Sequence, residues 1–549
     1  MKLKLLLFAF AAIGSFGLTV SAQSYAITNA RIVTVSNGTI EKGTVVVRDG
    51  LIAAVGADAK APADAQVFDG AGLTVYPGFF DTVSNVGMPA AARPQAGGPG
   101  GGGAAAAAQQ SASASNSNYP VGLQAESLAV TELKNGEGQF ESVRNAGFTT
   151  VVTVGRDGIF QGQSAIINLA GENVSSMIVK SPFAEHVSFS TIRGQYPGSL
   201  MGTFSSMRQM LLDAQRLKNW QKAYAANPRG MKRPEADRTL EALFPILDGT
   251  MPIIFNANRE IEIIRALDFA REFKLKAMIA GGQEAWKVAD RLKAQQVPVL
   301  LSLNFPKRTA AESPEADPET LDLLRFRAET PKAAARLAQA GVKFAFQSGG
   351  VTSLADFFAN AGKAVESGLN KDAAVRAMTL NSAELLGLSD RLGSIEAGKI
   401  ANLTVVKGDL FGKDRTVTHV FVDGKPFEPK APATPRQGGQ RGGAGAAPAV
   451  AQVGGNYSIT IDVPGQTLTG TLALTQQAAV INGSMQTQLG TSTVKDGKVT
   501  AEGFTFGCTV EFGGSMIDII VKGTVTGNQI SGTIDSPQGT VAFSGTRNP

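Results

Sequence analysis

Histidine and cysteine are scarce in this 549-residue chain, which holds two histidines, His186 and His419, and one cysteine, Cys508. A single cysteine excludes an intrachain disulfide, so packed cores must stabilise the fold. A catalytic zinc ion takes about three histidine, cysteine or carboxylate ligands and keeps one position open for water. With so few histidines we expect no metal ion, and nothing in the sequence indicates another cofactor.

Charge runs and long apolar segments are also missing. Charged residues make up 18% of the sequence with a net charge of +5, and lysine and arginine never cluster. Because nucleic-acid and membrane-surface sites need concentrated basic charge, we expect neither partner. Past the N-terminus no segment is apolar enough to span a bilayer. With 43% hydrophobic residues, a chain of this length should form two or three domains.

The first 22 residues have the pattern of a secretory signal peptide (1–22). Lys2 and Lys4 precede an apolar run over residues 5–18, and small residues at 20–22 offer a cleavage site before Gln23. The apolar run is short for a transmembrane helix, although an uncleaved N-terminal anchor is the alternative. Export without disulfides fits the periplasm, where we expect the chain to be located.

The middle of the chain has the alternating strand and helix pattern of an α/β fold. Residues 25–75 contain short strands, with an Asp-Gly hairpin signal at residues 49–50. From 76 to 387 short apolar strands alternate with amphipathic helices, which predicts a (β/α)8 TIM barrel. Residues 388–427 return to strands that need partners. We therefore expect a discontinuous composite β-domain formed by 25–75 and 388–427.

Two low-complexity segments interrupt this pattern. Residues 90–118 are rich in Ala, Gly, Ser and Gln, which predicts a disordered insertion, with a functional lid at the barrel face as the alternative. Residues 429–455 form a Pro/Gly/Ala/Gln linker.

Residues 456–549 are strand-rich, which predicts a C-terminal all-β domain, either a barrel or a sandwich. This domain shows no recognisable site, so we expect an interaction or stabilising module.

Several motifs resemble the amidohydrolase superfamily, in its imidazolonepropionase-like branch. Residues 76–82 (YPGFFDT) resemble the start of its barrel and residues 147–151 (GFTTV) its second strand. Residues 379–387 (TLNSAELLG) and 393–403 (GSIEAGKIANL) resemble its closing helix and the return to its composite β-domain. The resemblance covers residues 25–427. It implies a hydrolase that acts on non-peptide C–N bonds in cyclic amides or related small molecules.

The family's metal ligands do not carry over to this chain. Where the first strand of the family has His-x-His, this chain has Val83 and Asn85 around Ser84. The fifth-strand His falls on Asn256, the sixth-strand His on Gly281 and the eighth-strand Asp on Gly349. Valine and glycine offer no lone pair, and asparagine suits zinc poorly. Two hypotheses stay open: a C–N hydrolase by resemblance, or a non-catalytic ligand-binding or partner subunit, a pseudoenzyme.

Other reactive residues have modest support. Lys180 falls near the place where the family can put a bridging carboxylated lysine, and His186 lies near a predicted strand end. For both, a surface or supporting role is the alternative. Ser164 lacks the second glycine of a nucleophile elbow and no nearby histidine in the sequence supports a triad, so we assign it to a loop. In the family pattern Asp81 points away from the metals, and His419 has a structural place in a β-strand.

Polar residues at the ends of the predicted barrel strands should ring the barrel mouth. Such a ring suits hydrogen bonding to a small neutral ligand better than proton transfer, although the residues could also be remnants of a lost site. We assign no catalytic residue. The other partners we expect are an active amidohydrolase homologue or a second copy of the chain. The candidate ligand-binding residues are Asn85, Lys180, Asn256, Asn258, Arg259, Gln283, Asn304, Gln347 and Ser348.

Overall fold

The computed structural model describes two compact units, a barrel unit over residues 24–429 and a C-terminal unit over residues 452–548. The predicted signal peptide 1–22, the predicted insertion 90–118 and most of the predicted linker 429–455 lie outside the described residues. Among the described residues no helix has the length and apolarity needed to cross a membrane. Shorter gaps in the description are 120–121, 135, 137, 172, 192–195, 309–318, 350–353, 464–465, 478–479, 489, 500–502, 513–514 and 537–538.

The strands of the barrel unit fall into one sheet at its ends and a barrel in its middle. In chain order they are β1 Ser24–Val33, β2 Thr39–Arg48, β3 Leu51–Gly56, β4 Gln66–Asp69, β5 Leu73–Pro77, β6 Phe79–Ser84, β7 Phe148–Thr153, β8 Phe160–Gln163, β9 Ala165–Asn168, β10 Ile178–Lys180, β11 Glu185–Ser188, β12 Ile253–Ala257, β13 Ala277–Gly281, β14 Val299–Ser302, β15 Phe344–Gln347, β16 Leu403–Lys407, β17 Thr416–Val422 and β18 Lys425–Phe427.

The helices of the barrel unit connect or follow these strands. They are α1 Ala129–Glu132, α2 Gly138–Asn145, α3 Val174–Met177, α4 Leu200–Ala226, α5 Arg238–Ala242, α6 Phe244–Leu247, α7 Glu260–Phe273, α8 Ala289–Ala294, α9 Leu321–Glu329, α10 Ala333–Ala340, α11 Leu354–Glu366, α12 Lys371–Met378 and α13 Leu380–Leu386, with short 3-10 turns at Ala285–Val288 and Thr330–Lys332.

One sheet joins the two ends of the barrel unit. Its strand order is β18-β17-β16-β5-β1-β2-β3, with β4 also pairing with β1. Strand β16 runs antiparallel to β5, with Leu403 opposite Pro77. The β2–β3 hairpin turns at Asp49 and Gly50, whose φ angles of 52° and 82° suit the mirror-image turn that an Asp-Gly pair favours. Strands from 24–77 and from 403–427 therefore share one sheet.

The middle of the barrel unit forms a TIM-type barrel. Strands β6 and β7 are parallel neighbours, and β11 to β15 are parallel in chain order. Strand β15 returns to β6, where the Thr82 hydroxyl donates to the Phe346 carbonyl at 2.9 Å. Lumen-facing side chains such as Phe80, Ile254 and Met278 form one buried cluster, as expected when alternate residues point inward.

The third barrel position differs from the regular (β/α)8 repeat that the sequence predicts. Strands β8 and β9 fill it together and run antiparallel to their neighbours β11 and β7. Only residues 154–159 connect β7 to β8. A parallel crossover needs roughly a dozen residues or more, so this connection forces the chain to turn back.

The C-terminal unit is a closed antiparallel barrel with an apolar interior. The ring order is β20-β19-β27-β26-β25-β24-β23-β21, and β21 pairs back to β20. The prediction left a barrel or a sandwich open, and this closure makes it a barrel. Its core includes Tyr457, Leu472, Phe506 and Phe543. The strands are β19 Gly455–Val463, β20 Gln466–Gln477, β21 Val480–Thr487, β22 Gly490–Thr493, β23 Lys495–Val499, β24 Phe504–Phe512, β25 Ser515–Thr526, β26 Gln529–Ser536 and β27 Gly539–Arg547.

Candidate functional site

A cavity of about 260 Å³ opens where the barrel strands end, and we call it the barrel-mouth cavity. Parallel barrel strands deliver their carboxyl ends and the loops that follow to one face, so residues distant in sequence meet there. The lining residues are Val83, Ser84, Asn85, Val154, Gly155, Arg156, Gln161, Asn256, Asn258, Ala280, Gly281, Ser302, Gln347, Ser348 and Gly349.

Five of the nine candidate residues from the sequence line this cavity. They are Asn85 after β6, Asn256 and Asn258 at the end of β12, and Gln347 and Ser348 at the end of β15. Their common place follows from one rule, that polar residues directly after a buried strand lie at the barrel mouth.

Lys180 and Arg259 do not line the cavity. Lys180 is exposed on β10, which pairs with β9 rather than with a barrel neighbour, and its Nζ lies 5.3 Å from the centre of the Phe183 ring. The Arg259 guanidinium lies 3.8 Å from the centre of the Phe326 ring and 3.7 Å from Asp322. Arg259 therefore contacts α9 instead of facing the cavity.

Gln283 and Asn304 support the cavity wall from behind. The Gln283 side-chain amide donates to the Asn304 carbonyl at 2.8 Å. The Asn304 side-chain amide in turn donates to the carbonyl of Gly349 at 3.1 Å. These two residues link the loops after β13, β14 and β15, so they fix the position of lining residues without lining the cavity.

Four polar lining residues were not among the candidates from the sequence, namely Ser84, Arg156, Gln161 and Ser302. Arg156 and Ser302 follow or end predicted strands, and the rule used for Asn85 could have found them. Gln161 lies on the antiparallel strand β8. The sequence of β8 has no alternating pattern that would distinguish this short strand from a loop. Its place in the wall needed the structure.

The lining amides are bound to one another and to the backbone. Asn85 Nδ2 donates to the Val154 carbonyl at 2.8 Å. Asn256 Nδ2 donates to Gln161 Oε1 at 2.6 Å, and Gln161 Nε2 donates to the Arg156 carbonyl at 3.1 Å. The wall thus uses the amide donors of Asn85 and Asn256, and their carbonyl oxygens remain as the groups that a ligand could meet.

The last barrel strand adds a second set of such bonds. Gln347 Nε2 donates to the Leu300 carbonyl at 3.1 Å, and the Gly349 backbone N–H donates to Gln347 Oε1 at 3.0 Å. One N–H and one lone pair of this amide are used in the wall, so Gln347 shapes the cavity and keeps fewer contacts for a ligand.

A buried carboxyl lies directly behind the lining residue Ser348. The Ser348 backbone N–H donates to Asp81 Oδ1 at 2.8 Å, and Asp81 is 1% exposed. Burial raises the pKa of Asp81 to about 6, although hydrogen bonds from Ser348 oppose the shift. Among the lining residues themselves Arg156 is the charged one.

His186 and Ser164 form a pair that the sequence analysis did not expect. Both side chains are fully buried, and His186 Nε2 lies 3.0 Å from Ser164 Oγ. The expectation that no histidine is near Ser164 is therefore wrong, because the β8–β9 strand runs beside β11. Burial lowers the pKa of His186 to about 3, so the imidazole is neutral. Neither residue lines the barrel-mouth cavity.

Metal-binding side chains do not converge in the part of the chain that the structure describes. There, no group of three or more His, Cys, Asp or Glu residues could hold a metal ion. The polar lining of the cavity is made of amides, hydroxyls and one guanidinium, which are poor zinc ligands.

Comparison with known proteins indicates a family. The Amidohydrolase family profile matches residues 306–427. An amidohydrolase from Thermotoga maritima is similar in structure, with 26% sequence identity and a TM-score of 0.60, over 74% of this chain and 100% of that chain. These two findings support the expected amidohydrolase superfamily for the barrel unit of the chain.

Other solved structures match less well. A Xaa-Pro dipeptidase with bound methionine has 17% identity and a TM-score of 0.43 over 74% of this chain and 100% of its own. Phenylurea hydrolase B has 15% identity and a TM-score of 0.43 over 74% of this chain and 97% of its own. No curated protein matches the chain.

Proposed function

We propose that the barrel mouth of this amidohydrolase-superfamily chain binds a small molecule without a metal ion and without hydrolysing it. The motifs at 76–82 and 393–403 support a place in the imidazolonepropionase-like branch. In that branch the positions of Val83, Asn85, Asn256, Gly281 and Gly349 would hold the metals.

The backbone at two of these positions carries the proposal. Gly281 and Gly349 have φ angles of +94° and +62°, a region that residues with a side chain rarely adopt. A Cβ at Gly281 would lie 2.5 Å from Asn258 Oδ1, and a Cβ at Gly349 would lie 2.1 Å from Ser302 Oγ. A side chain at either glycine would therefore be strained, which supports the proposal that this mouth lacks the His and the Asp of the family pattern.

Asn85 and Asn256, at two of the other expected metal-ligand positions, form part of the cavity wall instead. Asn85 and Asn256 complete the hydrogen bonds to Val154 and Gln161 described above. These amides direct their N–H donors into the wall, and the amide oxygens that they leave are poor ligands for zinc. The carbonyl oxygens left over suit N–H or O–H donors of a ligand, each such bond being worth roughly 0.5–1.5 kcal/mol net.

A thermal-shift screen of small metabolites in the presence of EDTA tests this binding. We expect at least one compound to raise the melting temperature of the wild type, because the cavity needs no metal. Asn256→Ala and Asn85→Ala should each weaken that shift, whereas Asn528→Ala, an exposed site in the C-terminal unit, should leave it unchanged. The proposal fails if no compound stabilises the wild type, or if the two mouth variants respond as the wild type does.

Hydrolysis of non-peptide C–N bonds in cyclic amides is the second candidate. The profile match over residues 306–427 and the likeness to the Thermotoga maritima amidohydrolase favour it. Incubation of the purified chain with hydantoin and dihydropyrimidine substrates, with and without added zinc, tests it. Turnover that EDTA abolishes and zinc restores would support the hydrolase and remove the non-catalytic proposal.

We further propose that the chain acts in the periplasm, alone or beside an active amidohydrolase homologue. The charged and apolar pattern of residues 1–22 supports export. N-terminal sequencing of the protein purified from a periplasmic extract should begin at Gln23. Recovery of the intact N-terminus in the cytoplasmic fraction alone would exclude this location.

A further inference from the structure

The outer face of the C-terminal barrel carries a second and larger cavity. Its volume is about 860 Å³, against about 260 Å³ at the barrel mouth. It extends over β20, β19, β27 and β26, with the end of β21 at its margin. Its lining consists of serine, threonine, glutamine, glycine and two isoleucines, with no charged residue. We call it the neutral concavity.

Strand register arranges the hydroxyls of this cavity in a row across four strands. Thr460 on β19 pairs with Thr469 on β20 and with Ser544 on β27, and Ser544 pairs with Ser531 on β26. Side chains opposite one another in antiparallel strands lie about 5 Å apart, so the four hydroxyls form a continuous line. The residues that alternate with them along each strand point into the core.

A second row runs beside the first, two residues further along each strand. Ser458 pairs with Thr471 on one side and with Thr546 on the other. Two residues of a strand span about 6.8 Å, so the two rows make a regular lattice of hydroxyl groups on a concave surface. Every hydroxyl can both donate and accept a hydrogen bond.

The hydroxyls of the first row are available to a ligand. Within the described residues no side-chain hydrogen bond is recorded for Thr460, Thr469, Ser531 or Ser544. In the second row the Ser458 hydroxyl donates to Asn548 Oδ1 at 2.8 Å. Among the residues that the structure describes, the first row therefore has no side-chain partner that a ligand would need to displace.

Charged residues lie next to the neutral concavity, further along β26 and on the strands that follow it in the barrel. Lys522 on β25 pairs with Asp535 on β26 at 2.9 Å, and Lys495 on β23 donates to Thr509 on β24 at 3.0 Å. Charged residues are thus present on the barrel but lie outside the neutral concavity. Protein surfaces usually intersperse charges of both signs, whereas the lining of this concavity has none.

We propose that the neutral concavity binds a neutral polysaccharide chain. Sugar hydroxyls donate and accept as the serine and threonine hydroxyls do, and a repeating polymer can follow rows that repeat from strand to strand. A site without charged side chains cannot attract an anionic polymer by opposite charge. When a neutral polymer binds there, no charged group of the protein has to lose its water. The proposal concerns a site separate from the barrel mouth and does not depend on the function of that site.

Affinity gel electrophoresis of the full chain tests the proposal. Native gels would contain dextran, laminarin or glucomannan as neutral probes and alginate as an anionic probe, at low and at high salt. We expect at least one neutral polymer to retard the wild type equally at both salt concentrations. Ser544→Lys should weaken this binding by about tenfold or more, whereas Ser544→Thr, which keeps the hydroxyl, should retain it.

Thr493→Lys, at an exposed site outside the neutral concavity, is the matched control and should bind as the wild type does. Melting curves would show that each variant is folded. The proposal is overturned if no neutral polymer retards the chain, if Thr493→Lys weakens binding as much as Ser544→Lys, or if alginate alone binds and is released by salt. It is equally overturned if sedimentation shows a dimer that Ser544→Lys dissociates, because a second copy would then occupy the surface.

Discussion

At the scale of single residues, the buried carboxyl of Asp81 makes the stability of the chain depend on pH. Burial raises its pKa from 3.8 to about 6 in the folded state. The folded state therefore holds its proton more tightly than the unfolded chain does. This contribution is fully present below about pH 3.8 and is lost as pH rises through about 6. A shift of this size corresponds to about 3 kcal/mol.

Asp81→Asn should remove this dependence, because asparagine keeps an oxygen that can accept from the Ser348 N–H and cannot ionise. In urea unfolding at roughly pH 4 and pH 7, the variant should gain about 2 kcal/mol relative to the wild type as pH rises. Asp58→Asn, at an exposed position, should show no such gain. If the difference between Asp81→Asn and the wild type is the same at both pH values, Asp81 does not titrate in this range.

At the scale of elements, Arg259 contributes contacts that position helix α9. None of the residues of α9 is buried, so it has little apolar packing of its own. The Arg259 guanidinium lies over its Phe326 ring at 3.8 Å and near Asp322 at 3.7 Å. A contact of this type is worth about 0.5–2 kcal/mol, depending on desolvation.

Arg259→Ala should therefore loosen α9 while the barrel stays folded. Hydrogen exchange measured by mass spectrometry should speed up in peptides covering 321–329 by roughly 2- to 30-fold, the range that 0.5–2 kcal/mol allows. Arg325→Ala, an exposed arginine of the same helix, should change exchange little. Equal effects of the two variants, or none for Arg259→Ala, would show that another contact holds the helix.

The elements also show how far the sequence could predict this structure. The Asp-Gly hairpin at residues 49–50, the parallel strands β11 to β15 and the polar residues at their ends follow from local patterns. The antiparallel β8–β9 strand does not, because its course is set by the short connection 154–159 and not by its own period. The neighbours Ser164 and His186, and the place of Gln161 in the wall, depend on that strand and could not be predicted.

At the scale of the whole molecule, each unit has its own hydrophobic core. The barrel lumen is filled by residues such as Phe80 and Leu300, and the C-terminal barrel by residues such as Tyr457 and Phe506. A unit that closes its own core can unfold as its own cooperative step. Calorimetry of a chain truncated after Lys430 should retain the transition of the barrel unit within a few degrees. Aggregation of the truncated chain, or loss of that transition, would show that the C-terminal unit is needed for folding.

The central claim is that the TIM-type barrel of this chain has a mouth that does not hold zinc. Elemental analysis of the full-length protein, purified after expression in zinc-supplemented medium and dialysed against zinc-free buffer, measures this directly. We predict far less than one zinc ion per chain and a melting temperature that EDTA does not change. One or two tightly bound zinc ions per chain, with a melting temperature that falls on chelation, would contradict the account.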